Sequence, residues 1–81
     1  MQYTIAFTKK ADKDLQKLPL ETQRRILDKI KLLQNDVTGD VKRLTNFTPE
    51  YRLRVGDYRV LFETSDNKVV IHRIRHRKDA Y

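Results

Sequence analysis

The fold is decided by the stretch Tyr51-Arg52-Leu53-Arg54-Val55-Gly56-Asp57-Tyr58-Arg59-Val60-Leu61-Phe62. Two alternating runs flank Gly56-Asp57, and a two-residue loop led by glycine is typical of a tight β-hairpin turn. Such a turn pairs Val55 with Tyr58. Continued outward, the same register places Arg54 opposite Arg59.

The predicted hairpin has two unlike faces, because side chains alternate along a strand. The apolar face consists of Tyr51, Leu53, Val55, Tyr58, Val60 and Phe62. The other face carries Arg52, Arg54 and Arg59. Like charges directly opposite each other weaken strand pairing by about 0.2–1 kcal/mol. An anion bound between Arg54 and Arg59 would turn this repulsion into a net attraction. This face is therefore a candidate anion site.

The length and charge of the chain limit its number of domains and the kind of partner it attracts. The chain has 81 residues and a net charge of +7, which predicts one domain over residues 1–81 with a small core. A chain this basic attracts polyanions, nucleic acid above all. There is no cysteine, which excludes disulfides and thiolate metal sites and fits a cytoplasmic protein. No membrane segment or signal peptide is expected, since no apolar run approaches about 18 residues.

The remaining elements follow from hydrophobic periodicity. We expect a strand over residues 1–7, helices over 9–18 and 20–35, a short strand over 41–44 and a last strand from about 68 to 75. Thr8 offers an N-cap oxygen to the first helix, and Pro19 ends it and opens the second. The sequence therefore predicts an α+β fold, in which an antiparallel sheet of about four strands packs one face on an N-terminal αα-hairpin.

The register of the last strand is open at this stage. A four-residue turn after the hairpin would place Val69 and Ile71 on the apolar face, whereas a slip of one residue would exchange the two faces. The choice decides whether Arg73 or His72 joins Arg59.

The basic residues are the candidates for a functional site, because planar guanidinium groups bind phosphate bidentately and stay charged. The alternative is a solvated sheet face followed by a frayed basic terminus. His76, at the end of the last strand, is a candidate acid or base. Tyr81 is either a disordered last residue or an aromatic ring on which an RNA base stacks.

Three segments together resemble the RelE branch of the RelE/ParE toxin superfamily: Lys42-Arg43-Leu44, the hairpin through Glu63, and Ile74-Arg75-His76-Arg77-Lys78-Asp79-Ala80-Tyr81. The motifs R-x-R-V-G-D-Y-R and H-R-x-D-x-Y are specific in combination, and the resemblance covers almost the whole chain. It implies a microbial-ribonuclease-like fold, cleavage of mRNA in the ribosomal A site and neutralisation by a cognate antitoxin. The implied partners are mRNA, ribosomal RNA and that antitoxin, with no cofactor and no metal.

The resemblance also suggests roles for residues. Arg59 matches the central catalytic arginine, Arg77 the C-terminal one, and Tyr81 the tyrosine that stacks on the substrate base. Arg52 and Arg54 stand where well-studied RelE toxins have lysines, one of which is proposed as the general base. A guanidinium is a poor proton acceptor, so we expect Arg54 to stabilise charge while another group accepts the proton. The candidates for that group are Glu63, His76, Asp79 and Glu50.

The site expected from the sequence therefore has two parts. The catalytic residues are Arg54, Arg59, Arg77, Tyr81 and His76. The RNA-binding residues are Arg52, Arg73, Arg75, Lys78, Lys42 and Arg43. The expected function is that of a toxin that acts as a metal-independent endoribonuclease. The rivals are a ParE-like gyrase inhibitor, which the H-R-x-D-x-Y ending disfavours, and an inert module that binds nucleic acid or antitoxin.

Overall fold

A computed structural model describes residues 3–34, 41–43 and 51–78. The elements are β1 (Thr4–Phe7), α1 (Lys9–Gln16), α2 (Leu20–Leu32), β2 (Val41–Arg43), β3 (Tyr51–Val55), β4 (Tyr58–Ser65) and β5 (Lys68–His76). The strands form one sheet in the order β1-β5-β4-β3-β2. The α+β prediction is confirmed, with five strands instead of about four. All neighbouring strands are antiparallel except β1 and β5, which are parallel.

The β3–β4 hairpin has the predicted register. Val55 lies opposite Tyr58, and Arg54 lies opposite Arg59. Gly56 leads the two-residue turn with a φ of +56°, a left-handed conformation that costs glycine little because it has no Cβ. The turn chemistry therefore sets the pairing of the two arginines.

The core fills the space between the two helices and one face of the sheet. Thr8 caps α1 as predicted, since its side-chain oxygen accepts a hydrogen bond from the Ala11 N–H. Pro19 is the N-cap residue of α2, which begins at Leu20 as expected. The buried core residues are Ala11, Leu15, Ile26, Ile30, Leu33, Leu53, Val55, Val60, Phe62, Val69, Ile71 and Ile74. No helix in the described part of the chain has the length and apolarity to cross a membrane.

A β-bulge in β5 resolves the register of the last strand. Ile71 pairs with Phe62, but the next pair along is Arg73 with Leu61, so His72 is an extra residue without a partner position on β4. Bulges of this kind change the phase of the side-chain alternation. The first register alternative holds before the bulge, where Val69 and Ile71 are in the core, and the second holds after it, where Ile74 is in the core. The residue opposite Arg59 is therefore neither Arg73 nor His72 but Arg75.

Candidate nucleic-acid interface

Three arginines form a line across the middle of the sheet. Arg59 on β4 lies opposite Arg54 on β3 and opposite Arg75 on β5. We call Arg54, Arg59 and Arg75 the arginine row. They lie on the sheet face away from the helices, because the adjacent residue Val60 belongs to the core. The bulge therefore brings Arg75 into the site, in a position that the sequence did not reveal.

Arg59, the central member of the row, is held in place by its own hairpin turn. Its Nη1 donates hydrogen bonds of 2.9 Å to the backbone carbonyls of Gly56 and Tyr58. Burial lowers the pKa of the Arg59 guanidinium below its ordinary value. The charges of three other arginines act in the same direction: Arg54, Arg52 and Arg77. Arg59 is thus a half-buried cation at the centre of a positive cluster.

The chain after β5 returns to the hairpin turn and brings Arg77 to this cluster. The Arg77 backbone N–H donates a 2.8 Å hydrogen bond to the carbonyl oxygen of Asp57. Its Nη1 lies 3.8 Å from Asp57 Oδ1, and both side chains are exposed. An exposed ion pair of this length contributes little to stability, so the Arg77 guanidinium can leave Asp57 and turn toward a bound phosphate.

Arg73 is held by helix α1 instead of joining the row. Its Nε and Nη2 donate hydrogen bonds of 2.8 and 3.2 Å to the Asp14 carboxylate, which also accepts one of 3.0 Å from the Ile74 N–H. Burial acts to raise the pKa of Asp14, but these hydrogen bonds and the charges of Arg73 and Arg75 bring it below its ordinary value. The same contact raises the pKa of Arg73. Asp14 therefore joins α1 to the strand that carries Arg75.

Replacing Asp14 with asparagine should lower the free energy of unfolding by about 1–3 kcal/mol near neutral pH, the range for hydrogen bonds to charged groups. A carboxyl whose pKa is lowered by folding stabilises the protein fully above its unfolded pKa of about 3.9 and loses that effect as pH falls through the folded value. The difference between wild type and variant should therefore shrink in acid. Urea unfolding at pH 7 and at acid pH measures both quantities.

The exposed Asp28→Asn variant on α2 is the control, and it should unfold like wild type. An Asp14→Asn variant as stable as Asp28→Asn at neutral pH would contradict the structural role of Asp14.

His76 lies on the opposite face of the sheet from the arginine row. It pairs with Tyr58 across β4 and β5, and the two rings are 5.4 Å apart and nearly perpendicular. Its Nδ1 accepts a hydrogen bond from the Lys78 N–H at 3.3 Å. His76 and Tyr58 line a cavity of about 580 Å³ between α1 and the end of β5. This placement separates His76 from the phosphate site that the sequence led us to expect it to share.

Two other predicted RNA-binding residues, Arg52 and Lys42, extend the basic face toward β2. Arg52 lies between Lys42 on β2 and Leu61 on β4, and the Lys42 side chain is exposed. Arg43, the last residue of β2, is opposite Tyr51, whose ring packs against the core, so its position in the strand is not on the basic face. Tyr81, Asp79 and Glu50 lie outside the described residues.

Sequence reasoning missed one contact on the basic face, between Glu63 on β4 and His72 at the bulge. Oε1 of Glu63 lies 2.9 Å from Nε2 of His72. A signal for it was present: Val69, Ile71 and Ile74 are apolar but do not share one alternation phase, which indicates an extra residue between Ile71 and Ile74.

The described residues contain no group of three or more His, Asp or Glu side chains able to hold a metal ion. What they bring together is a set of cations on a sheet face, with Arg59 at the centre. Such a surface suits the backbone of a nucleic acid.

Comparison with known proteins identifies the family. The model of the ParE toxin of type II toxin–antitoxin systems, parDE, matches residues 5–81. The chain belongs to the RelE/ParE superfamily of toxins. Toxin RelE3 of Methanocaldococcus jannaschii is 33% identical to it over 82 residues, which are 95% of this chain and 93% of that protein. This confirms the resemblance found in the hairpin and tail motifs.

Two solved structures of RelE proteins have the same fold as this RelE/ParE toxin. The archaeal RelE–RelB complex of Pyrococcus horikoshii OT3 contains a chain with 31% identity and a TM-score of 0.82, and the match covers 99% of this chain and 100% of that one. In the RelBE2 toxin–antitoxin complex of Mycobacterium tuberculosis the values are 30% identity, a TM-score of 0.81 and coverage of 94% and 99%. The first is a complex of RelE with RelB, and the second is a toxin–antitoxin complex.

Proposed function

We propose that this RelE/ParE toxin is a ribosome-dependent endoribonuclease that cuts mRNA in the A site. The observation that carries the proposal is the position of Arg59, fixed by two backbone carbonyls between Arg54 and Arg75. Fixed donors aimed at a site of developing charge give the largest single contribution to catalysis in many enzymes. The names of relatives such as RelE3 support the same activity.

The reaction that fits this surface is an internal transfer at phosphorus. The 2′-oxygen of one nucleotide attacks the adjacent phosphorus, the bond from phosphorus to the 5′-oxygen breaks, and the products are a 2′,3′-cyclic phosphate and a 5′-hydroxyl. Negative charge grows on the phosphoryl oxygens, where the guanidinium groups of the arginine row stabilise it. Arg77, beside the hairpin turn, adds a further cation. The scheme requires no metal.

The two described candidates for the proton acceptor, Glu63 and His76, are not beside the arginine row. Glu63 is four residues from Arg59 along β4, a distance of about 13 Å between Cα atoms, and His76 is on the other face. We infer that the base comes from Glu50, Asp79 or the ribosome, which accounts for a requirement for the ribosome.

We also propose a cognate antitoxin as the partner that inhibits this protein, as expected from the RelB–RelE complexes of its relatives. The strong positive charge favours an acidic segment that folds on binding. Such a segment would cover Arg54 and Arg59 or displace the tail from Arg77 onward.

Primer extension on a defined mRNA in a translating extract tests the proposed function. We expect new 5′ ends only while the mRNA is translated, with 5′-hydroxyl and 2′,3′-cyclic phosphate termini. Cleavage should persist when transition metals are chelated and the Mg²⁺ needed by ribosomes is kept. Termini with a 5′-phosphate would contradict the 2′-oxygen mechanism. Intact mRNA together with damaged DNA would instead support gyrase inhibition.

A further inference from the structure

The cavity beside His76 is separate from the reaction proposed for the arginine row. It has a volume of about 580 Å³ and lies between α1 and the end of β5. Small-molecule sites in proteins commonly measure about 300–1,000 Å³. Three of the residues that line it are basic, Lys17, Arg75 and Lys78, and one is acidic, Asp14. The cavity therefore has the size of a small-molecule site and an excess of positive charge.

The acidic residue of the cavity is engaged inside the protein, whereas two of the lysines are not. The Asp14 carboxylate accepts hydrogen bonds from the Arg73 guanidinium and from the Ile74 N–H. Lys17 follows α1, Lys78 follows β5, and both are exposed. Neither forms an ion pair with another residue in the described part of the chain. Two ammonium groups from different elements thus border one cavity, which suits an anion with several oxygens such as phosphate.

The cavity also has an apolar and aromatic wall. Leu18 and Ile74 line it together with Tyr58 and His76. The two rings are 5.4 Å apart at an angle of 82°, and such an edge-to-face contact covers one face of one ring only. The Lys78 N–H donates to Nδ1 of His76, which helps to hold the imidazole in this orientation. A flat ring of a ligand can stack on a face that the pair leaves open, as nucleic-acid bases do on tyrosine and histidine.

We propose that this cavity binds a nucleoside phosphate, with the base stacked on the Tyr58–His76 pair and the phosphate between Lys17 and Lys78. A phosphate without a flat ring would leave the aromatic wall uncovered. An uncharged aromatic ligand would leave the two lysines without a counter-ion. The same chemistry is available from two sources, a free nucleotide and one nucleotide of an RNA strand. Binding here does not require cleavage, because His76 and Arg59 lie on opposite faces of the sheet.

Titration of the full chain with uridine monophosphate, followed by NMR, tests the site without ribosomes. We expect the amide signals of Lys17, Leu18 and Lys78 to move, and the ring signals of Tyr58 and His76 to move with them. Inorganic phosphate should leave the ring signals in place, because it has nothing to stack. Lys17→Gln and Lys78→Gln should each raise the dissociation constant for the nucleotide about tenfold, the scale for losing one hydrogen bond to a charged group.

The matched control is Lys68→Gln, which removes the same charge from an exposed position at the other end of β5 and should bind like wild type. Two results would overturn the proposal. One is a set of moving signals confined to the arginine row. The other is a dissociation constant that neither Lys17→Gln nor Lys78→Gln changes relative to Lys68→Gln.

A pentauridylate distinguishes the two sources of the ligand. If the nucleotide belongs to an RNA strand, Lys17→Gln should weaken binding of the pentamer as well as of the mononucleotide. If it is free, only the mononucleotide should bind more weakly. Either result supports the cavity as a nucleoside phosphate site. The proposed cleavage fails in a different way: a protein that binds uridine monophosphate in this cavity but leaves translated mRNA intact would refute cleavage alone.

Discussion

Replacing Arg59 with alanine is expected to slow mRNA cleavage by at least about 100-fold, the scale for removing one preorganised donor to a developing charge. The guanidinium at the centre of the arginine row would be lost, while Arg54 and Arg75 remain. Folding should not suffer, because the variant removes a cation whose neighbours repel it. Primer extension and thermal unfolding, measured on the same preparations, give the rate and the stability.

Two further variants sharpen this test. Arg24→Ala, on the exposed side of α2, removes the same side chain far from the row and should cleave like wild type. Arg59→Lys keeps the charge but loses the planar, two-pronged geometry, so its rate should lie between those of wild type and Arg59→Ala. Arg59→Ala cleaving as fast as Arg24→Ala would exclude Arg59 from the site.

Phe62→Ala should cost about 3–5 kcal/mol of unfolding free energy, as expected when a large side chain is removed from a core. Phe62 is fully buried, and its ring stacks on that of Tyr51 at 5.3 Å with an angle of 14° between the planes. The total free energy of unfolding of a native domain is only about 5–15 kcal/mol. The variant should therefore be close to unfolding at room temperature. Equilibrium unfolding in urea measures the loss.

The same substitution at Phe7, which is 36% exposed on β1, is the matched control and should cost much less. A similar loss at the two positions would show that burial against the helices does not decide the stability of β4. Both variants can be followed by the circular dichroism of the helices.

The hairpin was predictable because its turn and its two faces depend on neighbouring residues. Gly56 and Asp57 set a two-residue loop, and every pair from Val55 with Tyr58 outward then follows. The family resemblance came from the same local motifs. The arrangement of Arg54 opposite Arg59 needed no knowledge of distant parts of the chain.

The rest of the site depends on contacts that are distant in sequence. Asp14 and Arg73 are 59 residues apart, and nothing in either local pattern points to the other. The position of Arg75 in the row depends on the bulge at His72. Both registers considered from the sequence assumed a regular strand without a bulge, so neither placed Arg75 opposite Arg59. His76 looked like a candidate beside the arginines, but its alternation phase places it opposite Tyr58.

The bulge at His72 has a consequence for comparing members of this superfamily. A relative whose last strand is regular would be one residue shorter between the hairpin and the tail. If the alignment gap is put in the turn at Asp66-Asn67, the inward side chains of Val69 and Ile71 are matched with outward ones of the relative. A gap placed at His72 instead aligns the core-facing side chains of this protein with core-facing side chains of the relative. In this protein the extra residue of β5 is thus accommodated inside the sheet instead of in the turn between β4 and β5.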